Sequence, residues 1–73
     1  MTRLPRALKG EQVVQALIRA GYEAKEGRRH TIIHDGVQIV TTVPRGRKPI
    51  KPGTLRGILR DAGLTVEEFL DRL

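Results

Sequence analysis

The chain has two histidines, His30 and His34, and both lie in the stretch GRRHTIIHDG, residues 27–36. His30 follows Gly27, Arg28 and Arg29, so a tight turn here would set two guanidiniums beside an imidazole. That set suits phosphate chemistry. An imidazole can take a proton from a ribose 2′-hydroxyl or return one to a leaving oxygen, while arginine offsets the charge that develops around phosphorus. The same residues also fit a turn histidine with no catalytic role, because residue type and spacing alone make a weak motif.

His34 falls on the same face of a regular strand as His30. At about 3.3 Å per residue it stands roughly 13 Å along, too far to share one phosphate with His30. It is expected to be a turn residue ahead of Asp35 and Gly36. With no cysteine and no third histidine to complete a tetrahedral set, His30, His34 and Asp35 do not make a zinc site, and no metal or cofactor is expected. Further cations follow. Arg45, Arg47, Lys48 and Lys51 occupy one stretch, and Arg56 and Arg60, four apart, share one exposed helix face. Each can contact phosphate, and each can equally serve solubility.

These groups must be held by the elements around them. Val13, Val14, Leu17 and Ile18 recur at helical spacing from Gly10 onward, which predicts an amphipathic helix closed by Gly21. YEAKEG predicts a short strand running into a turn at Gly27, and HTIIH a second strand ending in the Asp35-Gly36 turn. VQIVTTV, residues 37–43, is the expected third strand, with Val37, Ile39, Thr41 and Val43 on one face and Pro44 at its end. RGRKPIKPG, residues 45–53, reads as a loop that presents charge.

Leu55, Ile58, Leu59 and Ala62 predict a second helix that starts near Pro52 to Thr54 and stops at Gly63. Thr65 and Glu68 form a capping-box pattern for a short last helix. Leu64 and Phe69 take the staple positions, and Val66, Phe69, Leu70 and Leu73 make the apolar stripe. Residues 1–9, which include Pro5 and three basic side chains, lack periodicity and read as a flexible basic arm, leaving residues 10–73 as a single domain. The expected class is α+β: helix, three-stranded antiparallel sheet, helix, short C-terminal helix, with the helices on one sheet face and the other face open.

Composition narrows the partners. A 73-residue chain buries only about 60% of the surface its unfolded form exposes, and without cysteine no disulfide adds to the core. No apolar run approaches the length of a membrane span and the first residues lack a signal-like apolar stretch, so the expected location is the cytoplasm and no membrane partner is expected. The net charge is +6, and no acidic residue occurs from Gly36 to Arg60, which favours a polyanion or an acidic protein as partner. Tyr22 and Phe69 are the only aromatic residues. Tyr22 is expected to be half-buried, so a platform of rings stacking successive bases is not available, and recognition through phosphate and helical shape fits better.

The segments QALIRAGYEAKEGRRHTIIHDG, VTTVPRG and GTLRGILRDAGLTVEEF, taken together, resemble the HicA family of toxin-antitoxin mRNA interferases over nearly the whole chain after about Lys9. The family pattern is similar to Gly21-Tyr22 after the first helix, a Gly-Ser-His-like triplet aligned with Arg28, Arg29 and His30, Val43-Pro44 at a strand end, and Gly53-Thr54 at a helix start. The resemblance implies a fold like double-stranded-RNA-binding domains and an RNA endonuclease whose essential histidine corresponds to His30. It also implies a HicB-like antitoxin that covers the active surface. The chain departs from the pattern in two places. Arg28 and Arg29 replace small residues, and Arg45-Gly46 stands where the family often has a histidine.

The resulting expectation is a metal-independent endoribonuclease toxin that cleaves mRNA. His30 is its catalytic residue, and Arg28, Arg29, Arg45, Arg47, Lys48, Lys51, Arg56 and Arg60 bind RNA. A non-catalytic module for structured RNA would use the same surface. A DNA-binding helix-turn-helix built from the last two helices is opposed by Glu67, Glu68 and Asp71, which would meet phosphates with the wrong sign.

Overall fold

The computed structural model describes residues 3–73; Met1 and Thr2, the first two positions of the expected arm, lie outside the described residues. The elements are α1 (Gly10–Arg19), β1 (Glu23–Glu26), β2 (His30–His34), β3 (Ile39–Pro44), α2 (Pro52–Ala62) and α3 (Val66–Asp71). The three strands form an antiparallel sheet in the order β1-β2-β3. This is the expected α+β layout. Thr31 and Ile33 of β2 and Thr41 and Val43 of β3 are buried, so their side of the sheet receives the helices, and α1 contacts all three strands while α2 contacts β3.

Burial on that side explains where the helices lie. Val13, Ala16 and Leu17 of α1 and Leu55, Ile58, Leu59 and Ala62 of α2 close over Ile33 and Val43, and Phe69 of α3 seals the end of the core with no exposed surface. Ile18, expected in the same stripe, sits at its margin and is 41% exposed. At the end of α1 the Gly21 N–H donates to the Ile18 carbonyl and the Tyr22 N–H to the Leu17 carbonyl, with Gly21 at φ 105. These paired bonds satisfy the last carbonyls of the helix and need the left-handed glycine. The half-buried Tyr22 then donates its hydroxyl to the Ala62 carbonyl at 2.7 Å, tying the start of β1 to the end of α2.

Two apolar residues in stretches read as polar belong to the core. Leu8, within the expected arm, is 7% exposed, and Ile50, within the expected loop, is 4% exposed. The Ile50 N–H donates to the Leu8 carbonyl at 2.8 Å, so the two segments brace each other. A single apolar residue flanked by charges has no period to detect, and only the fold shows that it is covered. Gly10, two residues after Leu8, lies against the end of β3. A Cβ there would stand 2.1 Å from the Pro44 carbonyl oxygen, so no larger residue can start α1 at this crossing.

The third strand differs from expectation at its beginning. The Asp35 N–H donates to the Gln38 carbonyl, and the Asp35 carboxylate accepts from the Val37 and Gln38 N–H groups at 2.8 and 2.9 Å, so residues 35–38 form the turn. Those bonds, Gln38 first and Val37 second, hold the Asp35 carboxyl below its ordinary range. Val37 is consequently a turn residue. β3 starts at Ile39, which pairs with His34, while Thr41 pairs with Ile33, so Val40 is the extra residue of a β-bulge. The bulge breaks the expected alternation: Thr41 and Val43 stay inside, while Ile39 is 65% and Val37 93% exposed. The buried Thr41 hydroxyl is satisfied by donating to the Asp61 carboxylate of α2 at 3.0 Å.

The short last helix follows its capping pattern. The Glu68 N–H donates to the Thr65 hydroxyl and the Thr65 N–H to the Glu68 carboxylate at 3.0 Å. The backbone bond from Thr65 is the main reason that the Glu68 carboxyl is held low. Leu64 packs against the core cluster that includes Phe69. Leu73 does not join the stripe and is 43% exposed.

Candidate functional site

The hairpin between β1 and β2 positions His30. The Gly27 N–H donates to the His30 carbonyl at 2.9 Å, and a Cβ on Gly27 would stand 2.5 Å from that same oxygen, so this position requires glycine. Arg28 and Arg29 bridge the pair. Neither has a positive φ, so the arginines that replace small residues fit the turn without backbone strain. Both side chains are exposed.

His30 opens β2 and pairs with Pro44 at the end of β3. Because Thr31 and Ile33 face the helices, strand alternation turns His30, Ile32 and His34 to the open face. Pro44 is tolerated here for a local reason. The Arg45 N–H donates to the Arg29 carbonyl at 2.9 Å, which marks Arg29 and Arg45 as a hydrogen-bonded pair and the adjacent His30 and Pro44 as a pair that needs no bond. The Arg45 guanidinium also donates to the Gly27 carbonyl, which fastens β3 to the hairpin turn. Arg28 and Arg29 thus adjoin the exposed His30 at the end of the sheet, with Arg45 at the same end on the helix side.

The neighbouring carboxylate points elsewhere. Glu26 pairs with the inward-facing Thr31 and so lies on the helix side, away from the face that carries His30. There it lines a cleft of about 550 Å³ between α1 and the sheet end, together with Lys9, Glu11, Gln15, Arg45 and Arg47. The sequence reading did not include Lys9, Glu11 or Glu26 in any site. Lys9 and Glu11 look like the solvated start of a helix and Glu26 like the polar end of a strand, and only the packing of α1 across the sheet makes them walls.

The remaining expected cations fall into two groups. Arg47, Lys48 and Lys51 are exposed along the loop that leaves β3, which is anchored through Ile50 and reaches α2 at Pro52. Arg56 and Arg60 are exposed on α2, in the layer that covers the opposite sheet face from His30. Arg28, Arg29, Arg47, Lys48, Lys51, Arg56 and Arg60 make no side-chain hydrogen bond or ion pair among the described residues, so their charges are available to a ligand.

His34 is held differently. Its Nδ1 accepts from the Gly36 N–H at 3.2 Å and lies 3.9 Å from the carboxylate of Glu23, its partner across the strands. It therefore braces the turn at residues 35–38. Among the described residues no cluster of three or more His, Asp or Glu side chains is arranged to hold a metal ion, and no helix is long and apolar enough to cross a membrane.

No curated protein matches the chain. The family model described as "HicA toxin of bacterial toxin-antitoxin" matches residues 10–64, a span that runs from the first turn of α1 through the arginine hairpin, His30, the basic loop and all of α2. That coverage includes the whole sheet and leaves out only the first nine residues and residues 65–73, which carry α3. The chain therefore belongs to the HicA family of bacterial toxin-antitoxin toxins, and an antitoxin is its partner.

Proposed function

We propose that this toxin is an mRNA endoribonuclease in which His30 is the catalytic residue and Arg28 and Arg29 stabilise charge at the scissile phosphate, while Arg45 holds the hairpin turn that presents them. The observation that carries this reading is an exposed imidazole on the open sheet face, adjoining the exposed Arg28 and Arg29 of the hairpin turn, while the neighbouring Glu26 lies on the helix side. A polyanion is drawn to that end, and an acid is absent from where it would repel phosphate.

The chemistry is a transesterification. The ribose 2′-oxygen attacks phosphorus, the bond from phosphorus to the 5′-oxygen breaks, and the products are a 2′,3′-cyclic phosphate and a 5′-hydroxyl. His30 takes the proton from the 2′-hydroxyl or gives one to the departing 5′-oxygen, and the arginines offset the charge on the non-bridging oxygens. Arg47, Lys48 and Lys51 extend the cationic track along the substrate, and Arg56 and Arg60 add to the field from the helix layer. An mRNA substrate is met in the cytoplasm. A HicB-like antitoxin with an acidic surface would neutralise the toxin by covering the same cations.

End-group analysis of the cleaved RNA tests the mechanism. Cyclic phosphate and 5′-hydroxyl termini are expected, whereas 5′-phosphate and 3′-hydroxyl termini would sink the 2′-hydroxyl route. Cleavage by wild type but not by His30→Ala, with RNA binding kept, separates an enzyme from a module that only binds structured RNA.

A further inference from the structure

The bulge at Val40 does more than shift a register. It turns Ile39 out onto the open sheet face, where Ile39 is 65% exposed beside the half-buried Ile32, next to the turn residue Val37, which is 93% exposed. Lys25 and His34 join them around a shallow depression of about 270 Å³. Contiguous β-branched side chains left in water at a sheet face mark a contact surface for protein, since phosphate and ribose derive little from them. From Gly36 to Pro44 the chain carries no charge at all. The face therefore has two ends, a cationic one at His30 and an apolar one at Ile39, joined along β2.

We propose that the apolar end, Ile32, Val37 and Ile39, is the anchor on which the antitoxin docks, while the cationic end serves antitoxin and RNA alike. The family supplies a protein partner, and the +6 charge of the chain selects an acidic one. An acidic partner drawn to Arg28 and Arg29 beside His30 and to Lys25 on the open face lies over the same sheet face, and the apolar patch is what it meets next. A second copy is the poorer occupant. Face-to-face pairing would bring together two chains of +6 charge, each with Lys25 on the buried face. The anchor follows from the toxin's having an antitoxin and does not depend on the nuclease reading.

The test measures the affinity of the purified cognate antitoxin by calorimetry for wild-type toxin and for Ile39→Asp, Val37→Asp and Ile18→Asp, each checked for folding by thermal melting. Ile18, 41% exposed on α1, is the comparison from the helix layer. Ile39→Asp and Val37→Asp are each expected to weaken antitoxin binding by at least about tenfold, as loss of an interface anchor does, while Ile18→Asp changes it by less than about threefold. RNA cleavage by the free toxin is expected to be unaltered in all three. The proposal is overturned if both sheet variants bind as wild type does or if Ile18→Asp has the larger effect. It is equally overturned if light scattering finds the wild-type toxin dimeric and Ile39→Asp monomeric with antitoxin affinity unchanged, because the patch then serves a second copy.

Discussion

β2 carries a histidine at each end, both turned to the open face, and their surroundings assign them different work. His34 is occupied: its Nδ1 accepts a backbone N–H from the turn it borders, and Glu23 faces it across the strand. At the other end His30 is exposed, opposite a proline, with arginines on the adjoining turn and on Arg45. Residue type does not separate the two. What separates them is that one imidazole is used to hold a turn, while the other is left free at a turn that is already held by Gly27 and Arg45.

The largest expected contrast is in rate. His30→Ala is expected to slow single-turnover cleavage of mRNA by about 10²-fold or more, the usual scale for loss of a general acid or base, while His34→Ala stays within about threefold of wild type. Equal losses from both would dissolve the distinction. Gly27→Ala attacks the hairpin that presents His30. Its new Cβ collides with the His30 carbonyl, so a stability loss of about 1–3 kcal/mol is expected in denaturant titration, with a lower cleavage rate at temperatures where the variant is folded.

Arg45→Met sharpens the comparison more gently. It removes the guanidinium that donates to Gly27 and positions the hairpin turn that presents His30, so cleavage is expected to fall by about tenfold with little change in melting temperature. A large drop in melting temperature with an unchanged rate would make Arg45 a structural strut only. The smallest effect belongs to the His34 end. Asp35→Ala removes the acceptor for two backbone N–H groups and is expected to lower the melting temperature slightly at neutral pH. Because the folded state depresses the Asp35 pKa, that contribution is present above the ordinary carboxylate pKa and lost as pH falls through the depressed value. The gap between wild type and variant therefore closes in strong acid, and a gap that widens there would contradict the turn geometry.

Much of this was legible in residue order. Helix stripes at Val13, Leu17, Leu55 and Leu59, the glycine closures at Gly21 and Gly63, and the Thr65–Glu68 box all follow from local rules that act within a few residues. The candidate site was half legible. Arg28, Arg29 and His30 adjoin in sequence, so their meeting needs only a turn, and Arg45 meets them because antiparallel pairing returns the end of β3 to the hairpin. The cleft walls Lys9, Glu11 and Glu26 come from two separate elements and a crossing, and nothing in their spacing indicates it.

By itself, then, the sequence determined the element order, the caps, the basic middle and the closeness of two arginines to a histidine, because each depends on covalent neighbours and on periodicities of two or 3.6 residues. Tertiary structure decided which side of the sheet is covered, that Leu8 and Ile50 are core residues, and that Ile39 faces water. The physical reason is the bulge and the packing around it. One extra residue reverses every side chain before it on the strand, and whether an extra residue is accommodated depends on the partner strand and the helices beneath, not on the strand's own alternation.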